Sequence, residues 1–265
     1  MSLIIFQYDR TFDGMLTVVF DAYARRSFPQ VIQGTDEPLP LFYDEVHPVI
    51  TDEAKAGRVW KALEKKLSKD ALSCLTVSYL SELPELDLHL FRYICKNIDS
   101  PVSLENNLAD DDILFVTNTF RKVLYERLRM MQFIRFQKAA DGTYFGIMEP
   151  QYNVLPLAIA HFKDRFADQP FVLYDKRRHY GYYYDQHEVT QVTFDESLPH
   201  FVTGKLDESL MAEDEKLFQE LWRTYFKAVC IRDRLNPRKQ RKDMPVRYWN
   251  CLLYTSDAAD EARSV

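Results

Sequence analysis

Residues 110–131, DDDILFVTNTFRKVLYERLRMM, and residues 133–148, FIRFQKAADGTYFGIM, together decide the fold class. In the first stretch Ile113, Val116, Phe120, Val123, Leu124 and Leu128 recur at the period of one helix face. Acids crowd its start and Arg and Lys its end, as the helix macrodipole favours, so the pattern predicts a helix over Asp110 to Met131. In the second stretch the apolar period drops to two on both sides of Asp141-Gly142, a dipeptide suited to the left-handed backbone of a hairpin turn. A chain that passes from a long amphipathic helix straight into a hairpin is α+β rather than all-helical.

Working outward, the N-terminal side reads as mostly helical. Leu3 to Tyr8 is a short β-rich run, and Met15 to Phe28 follows Asp13-Gly14 with Leu16, Val19, Phe20 and Tyr23 at helical spacing. Leu41 to Val46 is a second expected strand, placed after Pro38 and Pro40. Thr51 is an expected cap for a helix carrying Ala56, Val59, Trp60, Leu63 and Leu67, and two more helices are expected over Ala71 to Leu80 and Glu85 to Ile98. On the C-terminal side Pro156 opens a helix, since proline suits the first turn, and three strands follow at Phe171 to Asp175, Tyr180 to Asp185 and Glu188 to Phe194. A final amphipathic helix is expected from Glu213 to Asp233. The fold expected is α+β: a helical N-terminal part, then β-hairpins packed with helices, then a long amphipathic helix and a basic segment. It forms one domain over residues 1–250 with a soft boundary near Ser100-Pro101.

Of 265 residues 46% are hydrophobic and 14% aromatic, enough to bury a large core and too many for a disordered chain. No apolar run approaches the roughly 18 residues of a membrane span, and Met1 to Tyr8 is too short for a leader, so the expected location is the cytoplasm without a membrane partner. Cys74, Cys95, Cys230 and Cys251 are widely spaced and include no CxxC pair, which argues against a disulfide framework and against a zinc or iron-sulfur site. No metal and no cofactor is expected. P-loop, GxGxxG, HExxH and GxSxG patterns are absent as well, so no common catalytic engine is apparent.

Three constellations could carry chemistry. Trp222 to Trp249 holds nine Lys or Arg residues against two acids, within a chain of net charge -6. Arg238, Lys239, Arg241, Lys242 and Arg247 suit phosphate contacts, while Tyr248 and Trp249 either stack on a base or anchor the segment to the core. The plainer alternative is a solvated basic run or a partner for the chain's own acids. The second constellation, Tyr174 to Tyr184, joins two tyrosine-dense strands by a basic turn. Arg177, Arg178, Tyr180 and Tyr182 there suit a single strand or a flipped base, and equally an ordinary hairpin, since tyrosine favours strands. The third places His161 and Arg165 four residues apart on one helix face, and with Arg135 and Asp175 they are the catalytic candidates for an enzyme acting on a nucleotide or damaged base. A helical His without a nominated Ser, Cys or acid is more often a packing residue.

Several motifs together resemble a family of bacterial proteins labelled as probable DNA metabolism proteins. They are Tyr8-Asp-Arg-Thr-Phe-Asp-Gly14, Arg129 to Phe136, Leu155 to Phe166, Leu221 to Phe226 and Asn236 to Trp249. The family is encoded beside a putative radical SAM DNA-repair protein, and related versions are fused to uracil-DNA glycosylase domains. The glycosylase domain is missing here, so the resemblance implies a DNA repair setting, DNA and a radical SAM protein as partners, and no catalytic residues. Cys251 to Glu261 resembles the translation of a sequencing-library adaptor, which makes residues 251–265 an expected non-native tail. The expected function is an accessory DNA-processing protein that binds DNA, or docks its partner there, through the Arg-rich segment. The alternatives are the enzyme above and a pure protein-interaction module.

Overall fold

The computed structural model describes residues 3–193, 211–212 and 236–251, and between them positions 215, 217, 218, 220, 221 and 224. It is α+β, as the change of period predicts. Two compact units divide the chain between Leu124 and Tyr125.

The first unit is built on β1 (Ile4–Tyr8), which is parallel to β2 (Val31–Gly34) on one side and to β3 (Glu45–Pro48) on the other. Phe6 stands opposite both Ile32 and His47. Helix α1 (Phe12–Arg25) carries the chain from β1 to β2; Thr11 caps it by accepting from the Gly14 amide, and Arg26 closes it in the left-handed conformation. Then come α2 (Glu53–Glu64), α3 (Lys69–Tyr79) and α4 (Pro84–Asp99). Phe6, Met15, Leu16, Leu63, Leu75, Leu90 and Ile94 form the buried centre between sheet and helices.

Several expectations shift in detail. Helix α1 begins three residues earlier than expected and stops at Arg25. Asp52, not Thr51, caps α2, its carboxylate accepting from the Ala54 and Lys55 amides, whereas the Thr51 hydroxyl turns to Asp9. The strand expected at Leu41 to Val46 is moved to Glu45–Pro48, because pairing with β1 starts where the Asp44 amide reaches the Leu3 carbonyl. Leu41 and Phe42 are left in solvent at 94% and 86% exposure. The sequence reading did not find β2.

Helix α5 (Asp111–Phe133) runs through the division, and the second unit continues into the expected hairpin, β4 (Phe136–Lys138) with β5 (Tyr144–Met148). Gly142 takes the positive φ of 88° that the turn needs. Helix α6 (Leu155–Arg165) is a crossover, so β6 (Phe171–Asp175) lies parallel to β5, and β7 (Tyr180–Tyr184) and β8 (Val189–Val192) follow antiparallel. In the order β4-β5-β6-β7-β8 the central strand β6 is buried at every position, as a strand covered on both faces must be. Phe136 meets Phe162, Phe166 and Phe171 edge-on, the favoured arrangement of packed rings. A Cβ on Gly181 would lie 2.6 Å from the Leu173 carbonyl, so only glycine lets β7 pair this closely with β6. The described part ends in a short helix, α7 (Pro237–Asp243), and a 3-10 turn, Val246–Cys251.

Of the final helix expected at Glu213 to Asp233, the described positions are helical and the others lie outside the described residues, as do residues 252–265. Among the described residues no helix is long and apolar enough to cross a membrane.

Candidate nucleic-acid interface

The second unit ties its basic residues around two that the sequence reading does not single out, Glu126 and Gln151. Glu126 is 1% exposed although it lies in the charged end of α5. Its Oε1 accepts from the Gln151 amide at 2.9 Å, and its Oε2 accepts from Arg247 Nη2 and from the Tyr248 hydroxyl, both at 2.5 Å. Arg247 Nη1 also donates to the Gln151 side chain at 2.7 Å. A buried carboxylate is tolerated because each oxygen is satisfied and a guanidinium balances its charge. The signal that could have found it is positional: Val116, Thr119, Val123, Glu126 and Met130 share one buried helix face, so an acid occupies a core position.

Tyr248 is fully buried, with its ring 5.4 Å from that of Phe133. Of the two roles open in the sequence, it takes the core anchor and is not placed to stack on a base. Burial, then the bond to Glu126, pushes its hydroxyl well above the usual range, so it remains a neutral donor. Burial works to lower the Arg247 pKa, but Tyr248 and Glu126 outweigh it and raise it. The Trp249 side chain lies outside what is described.

The basic β6–β7 turn converges on the same segment. Arg177 Nη1 donates to the Gln151 carbonyl at 2.9 Å, and Arg178 donates to the carbonyls of Pro150 and Gln151, both at 3.2 Å. Arg178 also holds Asp175, which is completely buried, at 2.9 Å, and the Arg177 and Arg178 amides fill the other oxygen of that carboxylate. Burial raises the Asp175 pKa while Arg178 opposes it. Tyr180 donates to Asn153 at 2.5 Å, and the half-buried Tyr182 meets the Tyr180 ring edge-on at 5.9 Å. Arg178 and Asp175 are therefore structural here. Arg177 stays exposed beside Arg247, the two sharing Gln151.

The four candidates for the enzyme reading each have contacts of their own. Arg135 is spent on the carbonyls of Gln132 and Ile134, and Asp175 on Arg178. His161 stands edge-on to Phe162, and the exposed Arg165 lies over the Phe166 ring.

Helix α7 differs from all of these. Arg238, Lys239, Arg241 and Lys242 are exposed, and among the described residues none of the four makes an ion pair. Arg129 holds the far end of this helix by donating to the Asp243 carbonyl, and Arg129 itself lies over the Tyr125 ring. The arrangement is a short cationic rod fixed at its C-terminal end by Arg129 and by the Arg247–Glu126–Tyr248 anchor.

No curated protein and no solved structure matches the chain. One family does, over residues 84–253, from the start of α4 to just past the anchored turn. That span is well over half of the sequence and includes every residue of the anchor, so the chain belongs to the family described as a domain of unknown function, DUF4130.

Proposed function

We propose that this chain is an accessory protein of DNA metabolism that binds DNA through α7, with Arg177 and Arg247 adding contacts beside Gln151. One observation carries the reading: four neighbouring cations are exposed and, among the described residues, without an ion-pair partner in a chain of net charge -6, on a helix the fold takes trouble to hold. A solvated basic run needs no anchor, whereas a phosphate-contacting one gains from being held in place, because less ordering entropy is lost on binding. The resemblance to proteins encoded beside a radical SAM repair protein supports the second limb of the proposal, that DNA-bound protein presents this partner to its substrate. Asp175 and Arg135 are already committed within the fold, which disfavours the enzyme reading.

The test is fluorescence anisotropy with single-stranded and duplex DNA over a salt series. Six phosphate contacts, four from α7 and one each from Arg177 and Arg247, predict a log–log slope of about -5 to -6 on duplex. Arg238→Glu with Arg241→Glu should abolish binding at low salt. Unchanged affinity and slope in that variant would remove the proposal, and binding to a partner protein that survives nuclease would favour the interaction module instead.

A further inference from the structure

Between β2 and β3 the chain of the first unit runs through Pro38-Leu-Pro-Leu-Phe-Tyr-Asp44, every residue of which is exposed. Leu39 and Tyr43 are exposed at 38% and 46%, Leu41 and Phe42 at 94% and 86%. Single apolar side chains in water are ordinary, but four in a run of five mark a contact surface. Consecutive side chains diverge whatever the backbone, by about 100° in a helix and to opposite faces in a strand. Two neighbours that are both almost wholly in water therefore mean that the segment projects and that neither side of it packs on the unit it belongs to.

Both roots of the segment are fixed. On the β2 side the Glu37 amide donates to the Gly34 carbonyl at 3.2 Å, Gln33 Nε2 donates to the Glu37 and Pro38 carbonyls at 3.2 and 3.4 Å, and Arg10 pairs with Glu37. On the β3 side the Asp44 amide donates to the Leu3 carbonyl at 3.0 Å, the Leu3 amide returns a bond to Asp44 Oδ2 at 2.5 Å, and Arg25 pairs with Glu45 at 2.9 Å. Between the roots, among the described residues, Leu39 to Tyr43 form no hydrogen bond at all. Pro38 and Pro40 narrow the backbone freedom there, both at their own positions and at Glu37 and Leu39 before them. A projecting segment restrained in this way gives up little conformational entropy when something closes around it.

Charge and shape select the occupant. Residues 27–54 contain six acids and no Lys or Arg. Arg10 and Arg25 balance Glu37 and Glu45, which leaves Asp36 and Asp44, both exposed, on either side of the apolar run. Nucleic acid and the surface of an anionic bilayer are both repelled from such a place. A flat apolar surface could cover one side of the segment, whereas only a cleft takes Leu41 and Phe42 together. Charges of opposite sign around that cleft would steer the encounter and fix its register. We propose that residues 38–44 are a docking arm for a second protein, which receives Leu41 and Phe42 in an apolar cleft rimmed by Lys and Arg. The arm shares no residue with α7 and does not depend on the DNA reading.

The test is photo-cross-linking of the full chain carrying Tyr43→p-benzoylphenylalanine, illuminated in the cells that naturally produce it. One dominant adduct to a single other protein is expected, and the cross-linked stretch of that protein should combine apolar residues with Lys or Arg. Adding Phe42→Ser should reduce the adduct at least about tenfold, as loss of a central apolar anchor does. The same protein, purified, should bind the unaltered chain, lose at least about tenfold in affinity with Leu41→Ser or Phe42→Ser, and lose severalfold with Asp36→Lys, while each variant melts as the parent does. Arg238→Glu with Arg241→Glu should leave that affinity unchanged, which separates this outcome from the fate of the α7 reading. The absence of a protein adduct overturns the proposal, as does an adduct to a lipid, to nucleic acid or to a second copy of this chain, or one that Phe42→Ser leaves at full yield.

Discussion

Asp87 is held out of water far enough that its carboxyl rises from 3.8 to about 6. In that window the folded chain binds a proton that the unfolded chain releases, so the contribution of Asp87 is complete below pH 3.8 and is lost as pH rises through about 6. A shift of about two units corresponds to an upper figure of roughly 3 kcal/mol. Asp87→Asn, which cannot ionise, should therefore raise the midpoint of urea unfolding at neutral pH and flatten the fall in stability between those two values; a variant less stable than the parent at neutral pH would contradict this. Glu126 shows the opposite economy. It is as deeply buried, but its three donors are supplied by Arg247, Tyr248 and Gln151, so removing a donor costs stability instead of restoring it. Tyr248→Phe should lower stability by about 1–2 kcal/mol, at the low end of what a buried charged acceptor loses because Arg247 still serves the same oxygen. Urea unfolding of that variant decides it, and an unchanged midpoint would mean that Tyr248 contributes only its ring.

At the level of elements, what could be read in advance depended on whether a local signal set the structure. The hairpin of β4 and β5 was legible because Asp141-Gly142 needs no distant partner, and α5 because its apolar face and terminal charges agree. Strands β2 and β3 are set by register with β1 instead: each is four residues long, and neither alternates strongly enough to declare itself. The basic residues near the C-terminal end were visible as composition, yet which of them remain free was not, since Arg247 and Arg178 are claimed by acids 121 and 3 residues away, one far beyond any local pattern. The displaced β3 leaves Leu41, Phe42 and Ile50, the last 84% exposed, with almost nothing to lose on truncation. Leu41→Ser and Phe42→Ser should each change stability by less than about 0.5 kcal/mol, as exposed sites do. A destabilisation of about 2 kcal/mol or more in thermal melts would show that the loop packs against something in solution.

Over the whole molecule, the cations of α7 sit on a chain that is acidic elsewhere, and the two signs act over different distances. Counterion release from phosphates depends on the few groups in contact, so it persists at every salt concentration. Repulsion between the strand and the remaining acids depends on screening, whose range is about 10 Å at 0.1 M salt and about 30 Å at 0.01 M. With a net charge of -6, lowering the salt strengthens the local attraction while exposing the DNA to more of the protein's negative charge. A log–log plot of affinity against salt should then be straight between about 50 and 200 mM, with a slope set by α7, Arg177 and Arg247, and shallower below about 50 mM. The curvature should be stronger for long duplexes, which reach more of the acidic surface, than for oligonucleotides only long enough to cover α7. A line that stays straight or steepens at low salt would mean that DNA meets a broader cationic face than α7, Arg177 and Arg247 provide.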